Sequence, residues 1–342
     1  MTTTARARER PARRGSAWAL AGYCLVSFLY FGVPVATHPG RVVVGSDNDP
    51  KLFIWMFAWW PHAIAHGENP IITHALWAPS GYDLAWATSI SGLALLLAPL
   101  TALAGPVVAY NAAAILLPGL AAWSAFLLCR RVTQSLWASL VGGYLYGFSS
   151  YMLGHSEGHM HLTAVFVPPL VALLLLRALR GEVTHRGLAV RLGLLLAAQI
   201  SLSTEVFATL TLALVVSSAL AFCLVRAFRE RAGRLVGPVV SGFAIGSLLA
   251  SPLLYYVLTD FISGRFSPTG LFSADAVNLV VPTPTTAIGG AASANISAHF
   301  LGNELEQTAY FGCRSCSCSA PSSSSAGGTP SRDSCSRGSS RP

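Results

Sequence analysis

The chain has 342 residues, of which 53 % are hydrophobic and only 11 % charged, with a mean hydropathy of +0.55. Soluble domains carry about 25 % charged residues, so a soluble enzyme or binding module is excluded and a membrane is the expected solvent. The net charge of +8 comes from arginine, with Lys51 as the only lysine. These arginines flank apolar runs and form no continuous basic face, so nucleic acid is not an expected partner.

Residues 1–16 form a basic segment, with Arg6, Arg8, Arg10, Arg13 and Arg14, ahead of an apolar run at 17–37. That run is too long for a secretory signal and no A-x-A-like site follows it, so it reads as a signal anchor kept as the first span. Arg13–Arg14 is only a weak twin-arginine look-alike. Crossing a bilayer as a helix takes about 20 apolar residues, because lipid offers backbone amides no other partners. Six further stretches qualify, at about 106–128, 135–153, 162–179, 187–204, 206–225 and 235–258. The prediction is an all-α fold, a polytopic transmembrane helix bundle of about seven spans over residues 17–258. Glycines four apart, Gly143/Gly147 and Gly242/Gly246, are expected to let helices approach closely. Cys24, Cys129 and Cys223 sit singly in apolar runs and read as small hydrophobes.

The stretch 89–104 is apolar but short, and it carries Pro99. If it stays on one side, the arginines at 6–14, 130–131, 177–191 and 226–234 all face the cytoplasm. Only Arg41, Lys51 and Arg265 then remain outside before the tail. If it crosses, every basic group after the first moves outside, which inverts the positive-inside bias. The stretch is therefore predicted to be re-entrant or interfacial, with a cytoplasmic N-terminus. Residues 38–105 then form a long external loop carrying juxtamembrane helices, and 259–312 a second external segment.

On this topology the outside holds Asp47, Asp49, Glu68, Asp83, Glu157, Glu205, Asp260, Asp275, Glu304 and Glu306, and every histidine except His185. The inside has Glu9, Glu182 and Glu230. Acids barely influence insertion, so this segregation points to chemistry that needs carboxylates outside. In the first loop, Gly45-Ser46-Asp47-Asn48-Asp49-Pro50 leads into the aromatic run 52–60, predicted to be a helix lying on the membrane surface. Asp49 before Pro50 also suits an ordinary helix N-cap, and Asp47 an ordinary turn, so both readings stand at this level. The short loop 154–161 places His155, Glu157, His159 and His161 together, a set able to meet a divalent ion or a phosphate. Its spacing matches no closed zinc site and it has no cysteine. Glu205, in Ser203-Thr204-Glu205, is either a snorkelling end residue or an inward-facing acid.

Taken together, these features resemble the GT-C superfamily of polytopic glycosyltransferases that use lipid-linked donors. Asn48-Asp49-Pro50 ahead of an aromatic helix is similar to the Asp-Pro-x-Phe entry of oligosaccharyltransferase catalytic subunits. Ala104-Gly105-Pro106 stands where relatives have Phe-Gly-Pro, and Cys129-Arg130-Arg131-Val132-Thr133 is similar to their Ala-Arg-Arg-Leu-Thr. Tyr146-Gly147-Phe148-Ser149-Ser150 matches their Ala-Phe-Ser-Pro, with the acid Glu157 following. The resemblance covers about 17–312 and is best over 41–180.

What the resemblance implies is transfer of a sugar, with inversion, from a polyprenyl-phosphate donor to a glycan, lipid or protein acceptor outside the cytoplasm of a bacterial plasma membrane. Asp49 would be the acid nearest the acceptor, as general base or metal ligand, with Asp47 and Glu157 as further catalytic candidates. Glu157 stands where the oligosaccharyltransferases place an acidic pair, but here the loop reads Ser-Glu-Gly. Dependence on a divalent cation, Mg or Mn, stays open, with Asp49, Glu157 and His159 as candidate ligands. The leaving lipid phosphate calls for a cation. Lys51 and Arg41 are the cations of the first loop, and His155, His159 and Glu205 complete the expected substrate contacts. Lys51 equally suits an interfacial anchor.

After residue 312 the character changes: 313–342 are Ser, Arg, Gly, Pro and Cys with almost no aliphatics. Cys313-x-x-Cys316-x-Cys318 looks like a metal motif, yet such a tract cannot bury enough apolar surface to fold. A reading-frame shift near Gly312, leaving a truncated and inactive copy, is one expectation, and a native disordered tail is the other. The rival to glycosyl transfer is a transporter or flippase of lipid-linked glycan precursors. That reading expects ionisable groups on broken helices at the bilayer midplane, where this sequence has almost none.

Overall fold

A computed structural model describes residues 3–46, 49–87, 90–259, 273–284, 290–302 and 306–310. Asp47, Asp260, Arg265, Glu304 and the tail 313–342, with the frame-shift expectation attached to it, lie outside the described residues. The described residues are 73 % helix and 1 % strand, which agrees with an all-α reading.

Helix α1 (Thr3–Ser27) continues through a π turn (Phe28–Gly32) and a 3-10 turn (Val33–Val35) into the first loop. That loop holds α2 (Asp49–His66), a two-strand hairpin β1 (Ile72–Thr73) and β2 (Tyr82–Asp83), then α3 (Ser91–Leu96) and α4 (Ala98–Ala104). The bundle continues with α5 (Pro106–Thr133), α6 (Leu136–Gly147), α7 (Ser150–His155), α8 (Met160–Thr163) and α9 (Val167–Leu179). It ends with α10 (His185–Leu202), α11 (Thr204–Leu224), α12 (Arg226–Leu249), α13 (Ser251–Thr259), a 3-10 turn (Ala276–Leu279) and α14 (Ala291–Ser297).

Among the described residues, five helical stretches are long and apolar enough to cross a membrane: Gly15–Val35, Pro106–Thr133, Met160–Leu179, Thr204–Leu224 and Arg231–Leu249. Two of the seven expected crossings take another form. The stretch 135–153 breaks at Phe148 into α6 and α7, because Ser149 accepts the Met152 N–H (3.3 Å) and caps a new helix. The 12 residues of α6 rise only about 18 Å, short of the roughly 30 Å hydrocarbon core. Helix α10 has 18 residues but spends four of its positions on His185, Arg186, Arg191 and Gln199.

Helix α5 is the mast of the bundle. Pro106 starts it, behind Gly105 at φ +90, and Gln134 in the left-handed region ends it. Helix α1 packs antiparallel to it: Trp123 Nε1 donates to Ser16 Oγ (3.0 Å) near one end, while Ser27 Oγ donates to the Ile115 carbonyl nearer the other. Helix α6 also runs antiparallel. A Cβ at Gly143 or Gly147 would sit 2.6 Å from the Ala122 or Pro118 carbonyl oxygen, so only glycine permits this approach. Gly242 and Gly246 of α12 meet Leu192 and Leu196 of α10 in the same order along the chain. Those two helices are therefore parallel, with α11 returning between them.

These directions gather the start of α1, the ends of α5 and α9, and the starts of α10 and α12 at one end of the bundle. There Arg131 pairs with Glu182, which Arg177 Nε also reaches at 3.4 Å. The opposite end of α5 carries Tyr110 and Asn111. From Asn111 to Arg131 is 20 residues of continuous helix, a rise of about 30 Å, the thickness of a hydrocarbon core. Residues 90–104 do not run the length of the bundle. Ser91 Oγ donates to Ser201 O (3.3 Å) at the far end of α10, and α4 leads back through Gly105 into α5 at that same end.

Helix α2 departs from the expected surface helix. Phe53, Met56, Phe57 and Trp60 follow the i, i+3, i+4, i+7 spacing of one helical face and are buried in the main core with α3, α4 and α5. The aromatic run is thus an anchor into the protein. Trp55 and Trp59 lie half-buried along its flank.

Candidate functional site

The acid–histidine end is assembled from four separate pieces of chain. The first is the loop 36–46, which has no regular structure to hold it. Asn111 supplies that hold from inside α5: its Nδ2 donates to Pro39 O (2.9 Å) and Val42 O (2.8 Å), and its Oδ1 accepts the Val44 N–H (2.9 Å). The neighbouring Tyr110 hydroxyl donates to Val44 O (3.1 Å). Both side chains are buried, so these contacts are worth more than their surface equivalents.

Fixed in this way, the loop docks on the histidine loop. Ser46 donates its N–H to Glu157 O (2.9 Å) and its hydroxyl to Glu157 Oε2 (2.9 Å). Gly45 lies at φ +94, and a Cβ there would collide with the Glu157 carbonyl oxygen. This position requires glycine both for conformation and for space.

Three residues later Asp49 opens α2 and faces His159, Asp49 Oδ2 to His159 Nε2 being 3.5 Å. That is an ion-pair distance rather than a formed hydrogen bond. Asp49 keeps 48 % of its side chain exposed, His159 only 11 %. Behind it, His159 Nδ1 and His155 Nδ1 lie 3.3 Å apart. If His159 presents N–H from Nε2 to the carboxylate, its neutral Nδ1 accepts, and His155 must donate. His155 is buried, and desolvation, helped by His159 and His161 beside it, holds its imidazole down at about 4 against an upward pull from Glu205. His155 is therefore neutral at pH 7, as that tautomer scheme needs.

A second acid–histidine pair lies alongside. Glu205, in the first turn of α11, brings Oε2 to 3.3 Å from His161 Nε2. Ser203 caps that helix by accepting the Val206 N–H (3.2 Å). His161 is itself buried against the Phe53 ring, centroids 5.4 Å apart, and its Nδ1 has no partner among the described residues.

The structure thus brings together Asp49, His159, His155 and Glu205 of the expected residues, with Glu157 clamped next to them by Ser46. Lys51 is exposed at the start of α2, two residues beyond Asp49; Arg41 lies exposed on the loop and takes no part in the contacts above. Asp47 falls outside the described residues. The three candidate metal ligands do not close on one point: Glu157 turns to Ser46, and among the described residues no group of three His, Cys, Asp or Glu could hold a metal ion.

Sequence reasoning missed the parts that do the positioning. Asn111 carried a signal, as a lone amide in an apolar span. Gly45 and Ser46 belong to the Gly45–Pro50 segment, whose partner Glu157 lies 111 residues from Ser46 and leaves no local signal. His161 read only as a member of the ion- or phosphate-binding set of its loop, with no sign of its pairing with Glu205.

A family model described as a domain of unknown function, DUF6311, matches residues 19–314. The match covers the whole acid–histidine end and the arginine end from α5 onward. No curated protein and no solved structure matches the chain.

Proposed function

We propose that this chain, which belongs to the DUF6311 family, is an integral-membrane glycosyltransferase of GT-C type, working on a lipid-linked phosphate donor at its acid–histidine end. The bundle crosses a bacterial plasma membrane seven times, with α6–α7 and α10 completing the set by packing against longer neighbours. Its N-terminus and arginine end face the cytoplasm, as the positive-inside bias asks, and the acids face out. The observation that carries this reading is Asp49: a half-exposed carboxylate held 3.5 Å from a buried histidine at the far end of α5 from the arginines.

In the reaction the acceptor hydroxyl oxygen attacks the anomeric carbon from the face opposite the phosphate. Asp49 takes the hydroxyl proton, and the bond from carbon to phosphate oxygen breaks with its electron pair leaving on the lipid phosphate. The configuration at carbon inverts. His159, held by His155, orients the Asp49 carboxylate, and Lys51 meets the leaving phosphate. A positioned carboxylate base contributes about 10²–10⁴-fold. Among the described residues no group of three His, Cys, Asp or Glu could hold a metal ion, and no step is assigned to one.

Asp49→Asn is the test. It keeps the shape and the hydrogen-bond reach toward His159 but cannot take a proton. Transfer of radiolabelled sugar from a polyprenyl-phosphate donor in proteoliposomes should fall at least 10²-fold with insertion unchanged. Full transfer by that variant would remove Asp49 as the base.

A further inference from the structure

Beyond the acid–histidine cluster, the first loop encloses an open cleft of about 670 Å³, formed where residues 67–75 fold back along α2. Trp59, His62, Glu68, Asn69, Thr73 and His74 line it. The reading above leaves all of these residues unused. Its volume lies within the range of about 300–1,000 Å³ typical of ligand sites.

Three features define what it can hold. The first is a rigid aromatic wall. Trp59 stacks on Trp55, centroids 5.2 Å apart and planes at 12°, and its Nε1 donates to Pro70 O (3.1 Å). The indole is thus fixed in place before any ligand arrives, which removes an ordering cost from binding. The second is the frame. Asn69 Oδ1 accepts the Ile71 and Ile72 N–H groups (2.9 and 3.1 Å), while its Nδ2 donates to the Tyr256 hydroxyl on α13 (2.8 Å). Gly81, at φ +77, lets the hairpin close over Thr73 and His74, since a Cβ there would sit 2.8 Å from Thr73 O. The third is charge: the lining has one carboxylate, Glu68, and no lysine or arginine.

With Glu68 in the lining and no lysine or arginine, a phosphate or an anionic lipid head is disfavoured. An acyl chain would strand the polar rim without partners. A neutral saccharide suits both halves. The C–H face of a sugar ring carries a small positive charge and packs on the negative face of an aromatic ring, while its hydroxyls reach Glu68, His62 and His74. We infer that this cleft is a binding site for a neutral glycan.

The site shares one helix with Asp49. Ten residues separate Asp49 from Trp59 on α2, a rise of about 15 Å. A glycan held in the cleft would span a few sugar units to reach Asp49, which makes it the acceptor. That last step rests on the glycosyltransferase reading; the binding itself does not.

The full chain in lipid nanodiscs is titrated with maltotriose, mannotriose, galactotriose and arabinotriose at millimolar concentrations, with inorganic phosphate as the anionic control. Tryptophan fluorescence and saturation-transfer NMR report binding. At least one trisaccharide should bind and phosphate should not. Trp59→Ala should weaken the interaction at least tenfold, Trp59→Phe less, and the exposed His74→Ala a few-fold with the fold untouched. Binding by none of the four sugars, or equal binding by Trp59→Ala and His74→Ala, overturns the inference. Sugar binding without any glycosyl transfer by the native chain keeps the cleft and removes the transferase reading. Transfer without sugar binding does the reverse.

Discussion

The two ends of the bundle are built on different principles. At the arginine end, Glu182 meets Arg131 and its near neighbour Arg177 in exposed or half-exposed ion pairs. Such pairs contribute about 0–1 kcal/mol, and their arrangement follows from where arginines sit in the sequence. At the acid–histidine end, Asp49, the loop of Glu157 and His159, and Glu205 come from three separate parts of the chain, and Asn111 and Tyr110 hold the loop that docks on Glu157. One end is an anchor that tolerates error. The other has the over-determined placement that a reacting centre needs.

The sharpest way to break that contrast is at the Asp49–His159 contact. His159→Ala should reduce sugar transfer about 10²-fold, and the double variant with Asp49→Asn should lose no more than Asp49→Asn alone, because the two act as one unit. Additive losses in the kinetics would separate them.

Next in size is the loop clasp. Asn111→Leu keeps the volume but removes three hydrogen bonds, and leaves the buried Val44 N–H unpartnered, at a cost of about 1–3 kcal/mol. The thermal midpoint in detergent should fall, and transfer should fall with it. Gly45→Ala should impair the same docking through strain of about 1–2 kcal/mol and its collision with the Glu157 carbonyl. Unchanged stability in Asn111→Leu would show that the loop is held by something else.

A pH effect comes third. His155 has a folded value of about 4 against an ordinary 6.5, so the unfolded chain binds the extra proton first. Its contribution is present above pH 6.5 and is lost as pH falls from about 6.5 toward 4. The thermal midpoint should decline over that window, and His155→Asn should flatten the decline. A native midpoint that rises as pH falls would contradict the burial of a neutral imidazole.

The smallest effect belongs to the arginine end. Glu182→Gln should cost about 0.5 kcal/mol and leave transfer unaltered. A large loss of transfer there would erase the difference between the ends.

Much of this was legible from residues alone, and the reasons divide by range. The arginine end follows from a counting rule over 6–14, 130–131, 177–191 and 226–234, which needs no tertiary information. The expectation that 89–104 stays on one side comes from the same rule. Asp49 and the histidine loop were visible as residue types, but their pairing was not. It joins position 49 to position 159 through a loop whose hold comes from Asn111, and no local pattern encodes that. The break of 135–153 did have a local cause in Ser149 as a helix cap, outweighed in the sequence by its apolar neighbours. Helix α2 read as interfacial because tryptophan favours interfaces. Its 53, 56, 57, 60 spacing instead seats it in the core.

The central claim is that the acid–histidine end faces outward and transfers sugar through Asp49. Right-side-out vesicles carrying the chain, given radiolabelled polyprenyl-phosphate sugar and acceptor from the outside only, test both halves at once. The account predicts transfer by the native chain and its loss, by at least 10²-fold, in Asp49→Asn inserted to the same level. Equal transfer by the two, or transfer only from inside-out vesicles, would contradict it.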